Sequence, residues 1–116
     1  MTIDGTSIEQ RAIVLMSFPF SDLSRSKKRP ALVISNTEFN MKSEDIVCCL
    51  ITSNPKVKDG IKITNTDMES GHLEFDSTIK PYRLFTVSKS IIYKILCKLN
   101  KQKYQATIKE IKKLIE

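Results

Sequence analysis

The strongest constraint on the fold is a series of short apolar runs, rich in β-branched residues, that recur between residues 12 and 87 and are separated by turn residues. The run at 45–52 is continuously apolar, which is typical of a strand buried on both faces. Five or six short strands with frequent turn signals favour a mainly β chain that closes into a small barrel. The predicted strands are Ala12–Phe20, Pro30–Ser35, Asp45–Thr52, Gly60–Thr64, a weaker Glu74–Ile79, and Arg83–Val87.

From Ser88 onward the apolar spacing changes to a helical one. Apolar residues fall at positions 91, 92, 95, 96 and 99, and Ser88 is suited to cap the first turn of a helix. Asn100 interrupts the pattern, and a second apolar face follows at positions 104, 108, 111, 114 and 115. The sequence therefore predicts one domain, with a barrel over about residues 12–87 and C-terminal helices over about residues 88–116.

We do not expect the first residues to be a secretory signal, because they lack a basic start and an apolar stretch. No apolar run approaches the roughly 20 residues that a membrane helix needs. We therefore expect a cytoplasmic protein that does not contact a membrane. The three cysteines, Cys48, Cys49 and Cys97, have no C-x-x-C spacing and are expected to be reduced thiols without a catalytic or metal-binding role.

The formal net charge of +6 comes entirely from the C-terminal quarter of the chain. Residues 1–88 contain 11 Lys or Arg and 11 Asp or Glu, whereas residues 89–116 contain eight Lys and two Glu. A lysine-rich tail is usually the solvated face of a helix. Charge alone therefore does not establish that the chain binds nucleic acid.

Most enzyme classes are disfavoured by missing residues. The single histidine, His72, cannot supply the His and Cys sets of zinc sites, and there is no P-loop, G-x-G-x-x-G or G-x-S-x-G motif. His72 follows Gly71 in a polar turn, where an exposed bystander is favoured over a catalytic base. We expect neither a metal ion nor an organic cofactor.

The remaining chemical signal is a basic segment beside aromatic residues. Arg25, Lys27, Lys28 and Arg29 follow the aromatic pair at positions 18 and 20. Cations beside aromatic faces hold single-stranded nucleic acid by charge and by base stacking. A solvated hairpin tip above two core phenylalanines explains the same residues, so this segment alone leaves both interpretations open.

Longer motifs in this region resemble the PemK/MazF toxin family. They are F-P-F-S-D at 18–22, K-R-P-A-L-V-I-S at 28–35, and I-T-S at the end of the third predicted strand. D-S-T-I at 76–79 and L-F-T-V-S-K at 84–89 follow in the order of the family's own motifs. The resemblance spans about residues 12–99. It implies an SH3-like, plasmid-maintenance-toxin barrel with C-terminal helices, in agreement with the periodicity.

The resemblance also implies a function and a site. It indicates the toxin of a type II toxin-antitoxin system, a metal-independent, sequence-selective endoribonuclease of the mRNA-interferase type, which acts on single-stranded RNA through the substrate's 2′-OH. The catalytic Arg and Thr of the family fall on Arg29 and Thr52. The residues expected to bind RNA are Phe18, Phe20, Ser21, Arg25, Lys27, Lys28 and Ser53.

The partners implied are single-stranded RNA, a cognate antitoxin, a second copy of the chain, and operator DNA only together with the antitoxin. The chain departs from the family in three places. Arg11-Ala12 replaces Gly-Asp before the first strand, Phe85 replaces an Arg, and the basic loop is shorter than in some relatives. A non-catalytic subunit that binds nucleic acid or antitoxin in operon autoregulation is the alternative, and an unrelated peptide-binding barrel is a third interpretation.

Overall fold

A computed structural model describes residues 7–19 and 26–116. Seven strands form one antiparallel sheet in the order β4-β6-β3-β2-β1-β7-β5. The strands are β1 Ala12–Pro19, β2 Ser26–Val33, β3 Asp45–Thr52, β4 Ile61–Ile63, β5 Met68–Gly71, β6 Ser77–Ser88 and β7 Ile92–Leu99. Helix α1 covers Thr37–Lys42, helix α2 covers Lys101–Ile115, and two 3₁₀ turns cover Asn65–Asp67 and Lys89–Ile91.

The sheet curls into a half-barrel, and its central strands bury side chains on both faces. Successive residues of the central strands alternate between two core clusters, because side chains on a strand point to opposite faces. Cys49, for example, lies in the first cluster, and Cys48 lies in the second. Tyr104 brings α2 onto the first cluster, and Ile8 joins the second. The mainly β fold with a C-terminal helix is therefore confirmed.

The predicted helix over residues 88–99 is wrong. Ser88 caps only a 3₁₀ turn, its side chain accepting a hydrogen bond from the backbone N–H of Ser90, and residues 92–99 form strand β7. The pairing of β7 with β1 shifts register twice, which leaves Tyr93 and Leu96 as extra residues on β7. Each bulge breaks the period of two, so the apolar residues acquire a spacing that resembles a helix. Sheet and helix therefore meet at Asn100.

The second predicted helix is confirmed. The side chain of Asn100 accepts a hydrogen bond from the backbone N–H of Lys103 at 2.8 Å, which caps the first turn of α2. Elsewhere the strand limits differ from those predicted: β2 begins at Ser26, four residues before Pro30, and the two runs around residues 74–87 form the single strand β6. Strand β5 and helix α1 were not predicted.

Candidate functional site

Arg29 and Thr52 lie at the same end of neighbouring strands. The pairing of β2 with β3 ends at Ala31 and Leu50, and Arg29 and Thr52 each lie two residues beyond this last pair. The folded chain thus brings together two residues that are far apart in the sequence.

Arg29 and Thr52 form a row across this end of the sheet together with one residue on each outer neighbouring strand, β1 and β6. Strand β1 places Met16 opposite Arg29, and strand β6 places Thr78 opposite Thr52. Met16 is fully buried and Thr78 is 3% exposed, whereas Arg29 and Thr52 are half-buried. A buried residue on each side therefore supports the backbone of the two functional candidates, and their polar groups lie at the margin of the core.

The hydroxyl of Thr52 is oriented by the turn that follows β3. Its Oγ1 accepts a hydrogen bond from the backbone N–H of Asn54 at 3.2 Å, and the Asn54 Oδ1 accepts one from the backbone N–H of Lys56 at 3.0 Å. A threonine hydroxyl that accepts a bond from the backbone retains its own hydrogen as a donor. Thr52 can therefore donate to a phosphate oxygen.

Ser53 lines a groove of about 240 Å³ next to Thr52. Its other lining residues include Asn54, Lys62 and Asp76. Ser53 and Asn54 are exposed, and Ser77 and Thr78 are buried in its wall. The location of Ser53 next to Thr52 is compatible with the expected contact to RNA, which stays a prediction.

The basic segment lies largely on a β-hairpin. Strands β1 and β2 pair Ser17 with Lys28, and Phe18 with Lys27. The expected RNA-binding residues Phe20, Ser21 and Arg25 lie outside the described residues. For Phe18 and Lys27 the structure describes the strands but not the side chains.

Lys28 contacts an aromatic ring that the sequence did not suggest. Its Nζ lies 4.5 Å from the centroid of the Tyr93 ring. The apolar spacing of residues 88–99 predicts a helix, on which the Tyr93 ring would have no defined relation to β2. The adjacent aromatic and basic residues Tyr93 and Lys94 are a sequence feature that could have indicated a binding surface here.

The two departures from the family pattern at Arg11 and Phe85 have different structural consequences. Arg11 adopts a φ of +78°, a conformation that favours glycine, and its Nη1 donates to the carbonyl of Leu99 at 2.6 Å and to Glu69 at 2.9 Å. The hydrogen bond from Arg11 to Glu69 holds the pKa of the Glu69 carboxyl below its ordinary value. Phe85 packs against the second core cluster, opposite Cys48 on β3.

The cysteines and His72 lie in different surroundings. Burial raises the pKa of Cys48 and Cys49 to about 12 and that of Cys97 to about 11, so all three are neutral thiols at pH 7. All three are buried, which places them in the core, and His72 is exposed. Within residues 7–19 and 26–116, no three His, Cys, Asp or Glu side chains group as metal ligands, and no helix is long and apolar enough to span a membrane.

Comparison with solved structures identifies the class of fold. A crystal structure of MazE-MazF from Deinococcus radiodurans aligns with a TM-score of 0.77 at 17% identity, covering 95% of this chain and 96% of that one. The Mycobacterium tuberculosis toxin MazF-mt6 aligns at 0.70 and 15% identity, over 89% and 94% of the two chains. An endoribonuclease in complex with its cognate antitoxin, from a mycobacterial species, aligns at 0.68 and 12% identity, over 94% and 92%. The fold is that of the MazF toxins.

The family follows from the sequence. A model of the PemK-like, MazF-like toxins of type II toxin-antitoxin systems matches residues 9–115. The chain belongs to this toxin family. A search of curated proteins gave no match.

Proposed function

We propose that this toxin is a metal-independent endoribonuclease that cleaves single-stranded RNA at the row formed by Arg29 and Thr52. The observation that supports the proposal is that Arg29 and Thr52 lie on the adjacent strands β2 and β3, each two residues beyond the pair Ala31–Leu50. Two of the similar structures described above support it, since one is an endoribonuclease with its antitoxin and another is a MazF toxin.

The chemistry follows from the substrate. RNA carries its own nucleophile, because the 2′-OH is adjacent to the scissile phosphate. Its attack on phosphorus displaces the 5′-oxygen of the next nucleotide and forms a 2′,3′-cyclic phosphate. An internal nucleophile benefits from a high effective molarity, so the protein contributes mainly alignment and charge stabilisation.

Arg29 and Thr52 have distinct roles in this proposal. The planar guanidinium of Arg29 can contact two phosphate oxygens at once and stabilise the charge that grows on the phosphorane. Thr52 donates one hydrogen bond to a phosphate oxygen or to the ribose. Ser53 and the basic hairpin hold the flanking nucleotides, with Lys28 as its described cation.

The proposal also includes the partners of the toxin. A chain with a net charge of +6 suits an acidic antitoxin, which would mask the RNA site and join the toxin on operator DNA. A homodimer would cover apolar surface, since Leu114 and Ile115 at the end of α2 are 55% and 77% exposed and the sheet ends in the short strands β4 and β5. These encounters would take place in the cytoplasm.

The test is cleavage of a single-stranded RNA library in excess EDTA by the wild type, Arg29→Ala, Arg29→Lys and Thr52→Ala. Loss of a preorganised charged donor typically lowers the rate by about 10²- to 10³-fold, and Lys cannot reproduce the planar fork. Thr52→Ala should be milder, because it removes one neutral hydrogen bond. Lys112→Ala, an exposed change on α2, serves as the control and should cleave normally.

Two results would contradict the proposal. Wild-type cleavage by a folded Arg29→Ala variant would remove Arg29 from the site. RNA that is bound but never cleaved by the wild type would instead favour a non-catalytic subunit.

A further inference from the structure

The end of the sheet near Arg29 carries an exposed aromatic ring. Strand β7 begins at Ile92, which pairs with Met16, whereas the β1–β2 hairpin extends three residue pairs further, to Pro19 and Ser26. Tyr93 is therefore located at the base of this projecting hairpin. Adjacent strands are about 4.8 Å apart, so β1 alone separates Tyr93 from the backbone of β2.

The bulge at Tyr93 explains why the ring is accessible. Register between β1 and β7 shifts where Tyr93 occurs, so this residue has no partner opposite it on β1. Tyr93 is 51% exposed, while the preceding residue, Ile92, is 1% exposed. A large aromatic side chain is therefore half in solvent at the start of β7, and the ammonium of Lys28 lies 4.5 Å from its ring centroid.

The ring is in contact with a cation. Lys28 of β2 is exposed and lies over the Tyr93 ring, whereas its neighbour Arg29 projects to the opposite face of the strand. An exposed cation over a tyrosine ring gains little from that contact in water, so a ligand can displace the ammonium at low cost. A ring face that stacks a base and a lysine that binds a phosphate are the two elements of a single-stranded nucleic-acid site.

We propose that Tyr93 and Lys28 form a binding subsite for one nucleotide of single-stranded RNA that flanks the cleaved phosphate. The base stacks on Tyr93, and Lys28 moves from the ring to a phosphate oxygen. This inference rests on the proposed function, because it takes RNA as the ligand and Arg29 as the centre of the reaction.

Because Lys28 is adjacent to Arg29 on β2, this nucleotide would be a neighbour of the scissile phosphate. Lys28 and Arg29 are neighbours on β2 and project to opposite faces of the strand. A nucleotide held by Lys28 and Tyr93 is therefore separated from the reacting atoms by the strand itself. The subsite should contribute to the affinity for RNA and to sequence preference, with little effect on the chemical step.

The test measures binding of an RNA that carries a 2′-deoxynucleotide at the cleaved position and 2-aminopurine at one flanking position in turn. Stacking on an aromatic residue accounts for about a 5- to 150-fold difference in affinity by alanine substitution. Tyr93→Ala should weaken binding by that factor and abolish the quenching of 2-aminopurine at one position. Tyr93→Phe should preserve both, because the ring is retained.

Two controls separate the subsite from a general effect. Tyr82, on β6, is 48% exposed, close to the value for Tyr93, and Tyr82→Ala should leave affinity and quenching unchanged. Lys28→Gln should lower the salt dependence of binding by about 0.7 in the log–log slope, the value of one phosphate contact on single strands. Thermal unfolding of each variant verifies that the sheet is intact.

The outcomes also separate this inference from the proposed function. If the wild type binds the RNA and Tyr93→Ala binds it equally well with the same quenching, the subsite is refuted while cleavage at Arg29 can stand. If Tyr93→Ala weakens binding but the wild type does not cleave unmodified RNA, the ribonuclease fails and the subsite stands. A wild type that does not bind RNA refutes both.

Discussion

Replacing Arg11 tests how the first strand is anchored where the family pattern has a glycine. Both backbone groups of Arg11 are engaged, its N–H with the carbonyl of Val33 at 3.0 Å and its carbonyl with the N–H of Leu99 at 2.9 Å. These bonds hold the φ of +78°, which costs a residue other than glycine about 1 kcal/mol. The side chain, 12% exposed, compensates with its charged hydrogen bond to Leu99.

Two substitutions separate the backbone strain from the side-chain bond. Arg11→Ala loses the charged hydrogen bond, worth about 1.5–3 kcal/mol, and keeps the strain, so its free energy of unfolding should fall by about 2 kcal/mol. Arg11→Gly loses the same bond but relieves the strain, so its loss should be about 1 kcal/mol. Urea unfolding at pH 7 measures both, with unchanged m-values. An alanine variant as stable as the glycine variant would refute this reasoning.

Three further outcomes follow from the structure. The hydrogen bond from Arg11 lowers the pKa of Glu69, so the stabilisation that depends on this carboxylate is present above its unfolded pKa of about 4.3 and is lost as the pH falls through the lower, folded pKa. Thermal unfolding between pH 3 and 7 should therefore show a smaller acid-induced loss of stability for Glu69→Gln than for the wild type. Identical profiles would argue against this role of Glu69. Cys48 and Cys49, with pKa values raised to about 12, should react with a thiol reagent at pH 8 only in denaturant, and rapid labelling of the native protein would contradict their burial. Gly71→Ala should lower the free energy of unfolding in urea by about 2 kcal/mol or more, because Gly71 has a φ of +80° and an added Cβ would lie 2.6 Å from the Cα of Cys97. A variant as stable as the wild type would show that β5 can move away from β7.

The central strands were predictable because their apolar runs are uninterrupted. β1 and β3 each place successive side chains in the two core clusters, so both strands need apolar residues at consecutive positions. Strand β7 was not predictable in the same way. Its two bulges replace the period of two by a spacing that a helix shares, and bulges arise from pairing with β1, which a local pattern does not contain.

The candidate site also contains residues that the sequence could predict and contacts that it could not. Arg29 and Thr52 could be selected from family motifs, and the structure has them on the neighbouring strands β2 and β3. The contact between Lys28 and Tyr93 could not be predicted, because it depends on β7 being a strand beside β1. The conformation of Arg11 was equally hidden, since a positive φ at an arginine has no sequence signal of its own.

The most direct test of the account uses one RNA that the wild type cleaves and the same strand with a single 2′-deoxynucleotide at the cleaved position, both in excess EDTA. Arg29 is proposed to stabilise an attack by the substrate's own 2′-OH, so the unmodified strand should yield a 2′,3′-cyclic phosphate and a 5′-OH. The deoxy strand should bind with nearly the same affinity, because its phosphate and stacking contacts remain, and should not be cleaved. Cleavage of the deoxy strand, or a strict requirement for added Mg²⁺, would contradict the mechanism.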